Sequence, residues 1–181
     1  MERRIRSVLI ALLGLAFTLA TVEAQGEEFY YVMIFGSQSK PKQLRYTHTW
    51  ATFIRAVGEG PDANHYAIDQ HTISWLPRTL DVNVWDPMPE PGINLDLYQT
   101  LQAMTGNHEQ ITMWGPFRIQ DIVYQRSLRV KEILDSGMAE YRAISTPRNL
   151  LISDCIHAVA AIDPVFGRGH YPLVRIGKPA S

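Results

Sequence analysis

Three strand-length segments lie between Phe29 and Leu76, and they constrain the fold more than anything else in the chain. Phe29–Phe35 (FYYVMIF) is an unbroken aromatic and aliphatic run with the composition of a buried strand. Tyr46–Val57 alternates: His48, Trp50, Thr52, Ile54 and Ala56 point one way, Thr47, Thr49, Ala51, Phe53, Arg55 and Val57 the other. Apolar side chains occur in both sets, which predicts a strand buried on both faces. Gln70–Leu76 (QHTISWL) is a third strand, closed by Pro77. Loop residues at Gly36–Pro41 and Gly58–Asp62 separate the three.

Beyond Leu76 the pattern changes. Pro87, Pro89, Pro91 and Gly92 predict irregular backbone over 81–92. Leu95–Met104 reads as a short helix with Asn94 as its cap, and Ile111–Trp114 as a strand. Gly115-Pro116 is expected to open the clearest helix, which Gly137 stops. Its apolar stripe is Ile119, Ile122, Val123, Val130, Ile133 and Leu134, while Arg126, Arg129, Lys131 and Glu132 form a solvated face. Tyr141–Ile144 reads as another strand. Leu150–Asp163 is the last helix, capped by Ser153 or Asp154, with Cys155 in its first turn. No internal repeat or domain boundary is present. The expected class is therefore α+β, an antiparallel sheet packed against helices.

The N-terminus has the grammar of an export signal. A basic head (Glu2-Arg3-Arg4-Ile5-Arg6) precedes the apolar run Ser7–Ala20 and a small-x-Ala site at Val22-Glu23-Ala24. Fourteen apolar residues fall short of the ~20 that span a bilayer. Residues 1–24 are thus expected to be a cleaved signal peptide and 25–181 one mature domain, periplasmic or secreted. Losing three Arg and two Glu with the signal takes 17 basic and 18 acidic side chains to 14 and 16, a net charge of −2. Such a balance speaks against nucleic acid as a partner. No integral membrane segment is expected after cleavage. Cys155 is the only cysteine, so no internal disulfide can form and the core alone must hold the fold.

A lone thiol in an exported chain is either a buried small hydrophobe or a nucleophile. Its place at a helix start is expected to lower its pKa through unpaired N–H groups and the helix dipole. His48 and His71 are the candidate bases, because strands hold side chains in fixed orientations. His157 lies two residues after Cys155 and so faces elsewhere on a helix, packing or hydrogen-bonding inside the fold. The chain contains no G-x-S-x-G elbow, Gly-rich phosphate loop or H-E-x-x-H zinc helix. Two other readings stand beside the enzyme: a non-catalytic envelope protein with a buried Cys155, and a small metal site built from His48, His71 and Cys155.

The order His on a strand, second His on a strand, Cys at a helix start resembles the circularly permuted papain-like cysteine hydrolases and acyltransferases. These include lecithin retinol acyltransferase-like enzymes and permuted relatives of NlpC-type cell-wall peptidases. The word Asp154-Cys155-Ile156-His157-Ala158 matches the nucleophile motif, with Asp where that family has Asn. His48-Thr49-Trp50 matches a His-Trp strand, with Thr49 intervening, and His71 matches the second polar partner. The 23-residue interval between the two histidines implies an insertion near Gly58–Asp69. The resemblance covers 29–76 and 150–163 and implies a permuted papain-like fold. It also implies a Cys-His-His site acting on an amide, ester or thioester without a cofactor. In that scheme Cys155 attacks the carbonyl, His48 takes and returns a proton, and His71 orients His48. The implied substrate is a small molecule or a cell-envelope acyl or peptide group.

Overall fold

A computed structural model describes residues 26–145 and 150–163. The expected signal peptide and Pro164 lie outside the described residues. In chain order the elements are β1 (Glu27–Gln38), β2 (Thr47–Gly58), β3 (Ala67–Ile73), β4 (Trp75–Pro77), β5 (Glu90–Asn94), α1 (Leu97–Gly106), β6 (Gln110–Ile119), α2 (Asp121–Asp135), β7 (Glu140–Tyr141), β8 (Ile152–Ser153) and α3 (Cys155–Ala160). The class is α+β. One antiparallel sheet has the order β3-β2-β1-β6, and a smaller one has the order β4-β5-β7-β8 with a parallel β7–β8 pair.

The large sheet is built on the two long strands. β1 and β2 pair over all twelve residues, from Glu27↔Gly58 to Gln38↔Thr47. Directly paired residues share a face, so the register sorts the side chains. Tyr30, Val32, Ile34 and Gly36 lie on one face with Phe53, Ala51, Thr49 and His71; Phe35 and Ser37 lie on the other with Trp50, His48, Thr52 and Thr72. α2 covers the first face, with the Tyr124 ring 5.2 Å from Tyr30 and 4.9 Å, edge-on, from His71. α1 covers the second, where the Ser37 hydroxyl meets the Met104 sulfur at 3.2 Å and Thr100 reaches Ser74. With helices on both sides, Trp50, Ala51, Thr52 and Phe53 are all fully buried. That is the double burial expected of the second strand.

Five expectations are corrected. Gly115-Pro116 does not open a helix but lies inside β6, whose place at the sheet edge tolerates a residue without an N–H. The β1–β6 register shifts opposite, between Val32 and Ile34, and Gly115 takes φ +109 to make the irregularity. α2 starts at Asp121 and buries Tyr124, Ser127, Val130 and Leu134, while Ile122 of the expected stripe is exposed. The α1 cap is Asp96, in a capping box with Gln99, rather than Asn94. Asn94 instead accepts from Ser74 N–H at 2.8 Å and donates to the Thr72 carbonyl at 3.1 Å, tying β5 to the end of β3. The expected irregular stretch ends at Pro89, because Glu90, Pro91 and Gly92 enter β5. Gly92 is required there: a Cβ would stand 2.0 Å from the buried Trp75 ring. The expected strand at 141–144 is only Glu140–Tyr141.

Candidate functional site

Cys155 is placed by a well-anchored helix start. Asp154 caps α3 as expected, accepting the His157 N–H at 2.8 Å. Its other oxygen, Oδ2, lies 2.6 Å from His157 Nδ1 and accepts the Ser145 hydroxyl at 2.8 Å. This buried Ser145–Asp154–His157 cluster locks α3 to the segment after β7. His157 thus hydrogen-bonds inside the fold, as the sequence suggests. The Trp75 indole N–H donates to the Ser153 carbonyl at 3.1 Å and fixes the helix from the other side.

The thiol lies against β2. β3 pairs with β2 only as far as Ala51↔Ile73, so Thr49 has no strand neighbour on that side. The Cys155 sulfur faces the backbone N–H groups of Thr49, of Ile156 and of Cys155 itself. These donors favour a thiolate, but burial pushes the thiol up to about 12, with the Asp154 carboxylate acting in the same direction. The lowered value expected from the helix start is therefore not found. α3 is six residues long, and desolvation outweighs what so short a helix supplies.

His48 precedes Thr49 on β2 and borders the same cavity as Cys155. The ring leaves on the α1-covered face, stacks on Trp50 and places Nε2 2.9 Å from the Ser74 hydroxyl. Nδ1 is buried with no hydrogen-bond partner, and no hydrogen bond joins it to the sulfur. Burial lowers the His48 pKa to about 3. At neutral pH the pair is accordingly a thiol and a neutral imidazole rather than an ion pair.

His71 is not part of this arrangement. Its register partner is Phe53, on the face opposite His48. Its ring stacks on Phe53, and Nε2 lies 2.8 Å from Ser127 of α2. Burial, with a smaller effect of Lys131, lowers its pKa to about 4. It does not orient His48. Nor do His48, His71 and Cys155 converge as a metal set, and the described residues contain no group of three His, Cys, Asp or Glu placed to hold an ion.

A cavity of about 250 Å³ opens beside the thiol. Two cross-strand rows, Thr49–Gly36–Thr112 and Thr47–Gln38–Gln110, form its floor. Cys155 and Ile156 close one side and Trp114 another, while His48 borders the cavity with its ring leaving on the opposite face of the sheet. Gly36 lies in the floor, where a Cβ would rest on the Trp114 ring at 3.4 Å.

The sequence patterns do not expose Ser74 and Thr100, which carry the hydrogen bonds behind His48. Both are small hydroxyls inside apolar stretches, and only the packing of α1 over the strand end brings them together. Among the described residues no helix is long and apolar enough to cross a membrane. No family model, curated protein or solved structure matches this chain.

Proposed function

We propose that this protein is an exported cysteine-dependent hydrolase or acyltransferase acting on an amide, ester or thioester, with Cys155 as nucleophile and His48 as base. One observation carries the reading: the thiol lies against the residue following His48, and Cys155 and His48 border one cavity. His48 Nδ1 would accept the thiol proton as the sulfur bonds to the carbonyl carbon. The same nitrogen then returns that proton to the leaving amine, alcohol or thiol, and an S-acyl intermediate remains. Water or an acceptor nucleophile attacks that intermediate and gives its proton to Nδ1; the carbon–sulfur bond breaks, the acyl product leaves, and Nδ1 returns the proton to the sulfur. Catalytic hydrogen bonds often tighten only when substrate is bound. His71 has no role in this scheme.

The cavity limits what enters. Its volume is below the ~300–1,000 Å³ of pockets that take drug-sized ligands, and its floor is threonine and glutamine. This favours a small polar acyl or amide group over a long lipid chain. Export rests on residues 1–24, read as a signal peptide.

The high thiol pKa favours a second reading, a non-catalytic envelope domain in which Cys155 is a buried structural residue. p-Nitrophenyl acetate separates the two. The enzyme reading expects acetylation mapped by mass spectrometry to Cys155, lost in His48→Gln while folding is retained. Acetylation confined to lysines, or undiminished at Cys155 in the variant, supports the second reading.

A further inference from the structure

Trp85, on the loop between β4 and β5, is the most exposed large apolar side chain among the described residues, at 84%. No ring or cation among those residues packs on its indole. The loop does not leave it there by being loose. Asn83 Oδ1 accepts the Trp85 N–H at 3.1 Å, the Asn83 carbonyl accepts the Asp86 N–H at 3.3 Å, and Asp86 Oδ1 accepts the Met88 N–H at 2.9 Å. Pro87 and Pro89 fix the chain that follows. The indole is thus held in water on a set backbone, and large apolar surface so placed marks a contact with something else.

Beside it opens a cavity of about 400 Å³, larger than the one at Cys155. Trp85 and Leu44 supply apolar wall, and Gln43, Arg45, Asp81 and Asn83 supply polar groups. The Gln43 amide, the Asp81 carboxylate and the Trp85 indole N–H make no hydrogen bond to another described residue. One cation and one anion leave the lining without net charge, which disfavours a phosphate or an anionic headgroup. The lining suits a neutral ligand that has both an apolar face and many hydroxyls. A pyranose with equatorial hydroxyls has both. Its faces carry only axial C–H, which the negative face of an indole attracts. Its rim carries vicinal hydroxyls that donate and accept at once, matching a carboxylate that accepts, a guanidinium that donates and amides that do either.

We infer that Trp85, with Gln43, Arg45, Asp81 and Asn83, forms a binding site for pyranose sugars whose ring hydroxyls are equatorial. The cavity volume falls within the ~300–1,000 Å³ of ligand pockets. One stacking ring and hydrogen bonds open to water predict a millimolar dissociation constant. The site stands independently of the chemistry proposed for Cys155. The two cavities adjoin, however, because Leu44, which opens the turn Leu44–Tyr46, lines both. A sugar bound on Trp85 therefore lies next to the cavity of the thiol.

The four indoles are separate reporters in ¹⁵N-tryptophan-labelled protein: Trp50 and Trp75 are fully buried, Trp114 lines the thiol cavity and Trp85 lines this one. Titration with cellotetraose and with tri-N-acetylchitotriose is expected to move the Trp85 indole N–H signal saturably while Trp50 and Trp75 stay still. Asp81→Ala should weaken binding roughly tenfold, since it removes a charged acceptor. Trp85→Ala should abolish the binding seen by calorimetry. Both variants should melt with the wild type, because neither side chain is buried. Failure of both sugars to move the Trp85 signal, or a shift unchanged by Asp81→Ala, overturns the inference. A shift confined to Trp114 places the sugar in the thiol cavity and overturns it too. Phosphatidylcholine vesicles are the competing probe: if they move the Trp85 signal and the sugars do not, the loop is a membrane contact instead.

Discussion

Cys155 and His48 are neighbours with different structural costs, and that difference is measurable. The thiol fills a small space at the edge of β2, whereas the His48 ring is buried against Trp50 and bonded to Ser74. Cys155→Ala is expected to cost about 1 kcal/mol of stability, in line with loss of one small buried group. His48→Ala should cost about 3 kcal/mol, because it removes a stacked ring and leaves the Ser74 hydroxyl without its partner. Urea denaturation checks both, and equal losses would contradict this placement. At this scale the sequence is readable where chemistry is local. The first-turn position of Cys155, the Asp154 cap and the inward-turned His157 all follow from spacing on one helix. The partners of the two strand histidines do not. Each is decided by which helix lies over its face, and neither α1 nor α2 announces its docking partner in its own residues.

Among the elements, α3 illustrates how a short helix is held. Six residues cannot stabilise themselves, and the Asp154 carboxylate does most of the fixing by holding His157 and Ser145 at once. Asp154→Ala removes the cap and leaves buried polar groups behind, so a loss of about 3 kcal/mol is expected. His157→Ala should destabilise as well, and thermal melting of both variants provides the check. β1 and β2 are legible to within two or three residues because their aromatic and β-branched content has no competing reading. β6 is not. Gly-Pro is a turn or helix-start signal in isolation, and only the edge position of this strand makes an in-strand proline acceptable. The capping box at Asp96 and Gln99 is a residue pattern visible in the sequence, and it lies two residues beyond the Asn94 that apolar spacing suggests.

For the whole molecule, buried neutral imidazoles imply acid lability. His48 and His71 have folded pKa values near 3 and 4 against about 6.5 in the unfolded chain. As pH falls below 6.5 the unfolded chain takes up protons that the folded one refuses. The stability present above pH 6.5 is therefore lost progressively toward pH 3–4. By pH 5 the loss is on the order of 2 kcal/mol for each histidine. Burial tends to raise the Asp154 pKa, but hydrogen bonds from His157 and Ser145 hold it below the usual value, which adds a loss of the same sign at lower pH. Denaturation midpoints measured from pH 7 to pH 4 should fall steadily, and less steeply in a His48→Gln, His71→Gln double variant. A flat profile would mean that these rings are hydrated in solution. The α+β class was legible because three early strands and three later helices leave few other arrangements. The sorting of residues onto faces came only with the register.

Where β3 turns away, the ladder of β2 loses a rung, and the thiol lies against the margin left open. An acyl group on that sulfur would have to share the space with the strand edge. Chemistry at Cys155 would then press on the wall of its own cavity, and release of the acyl group would relieve it.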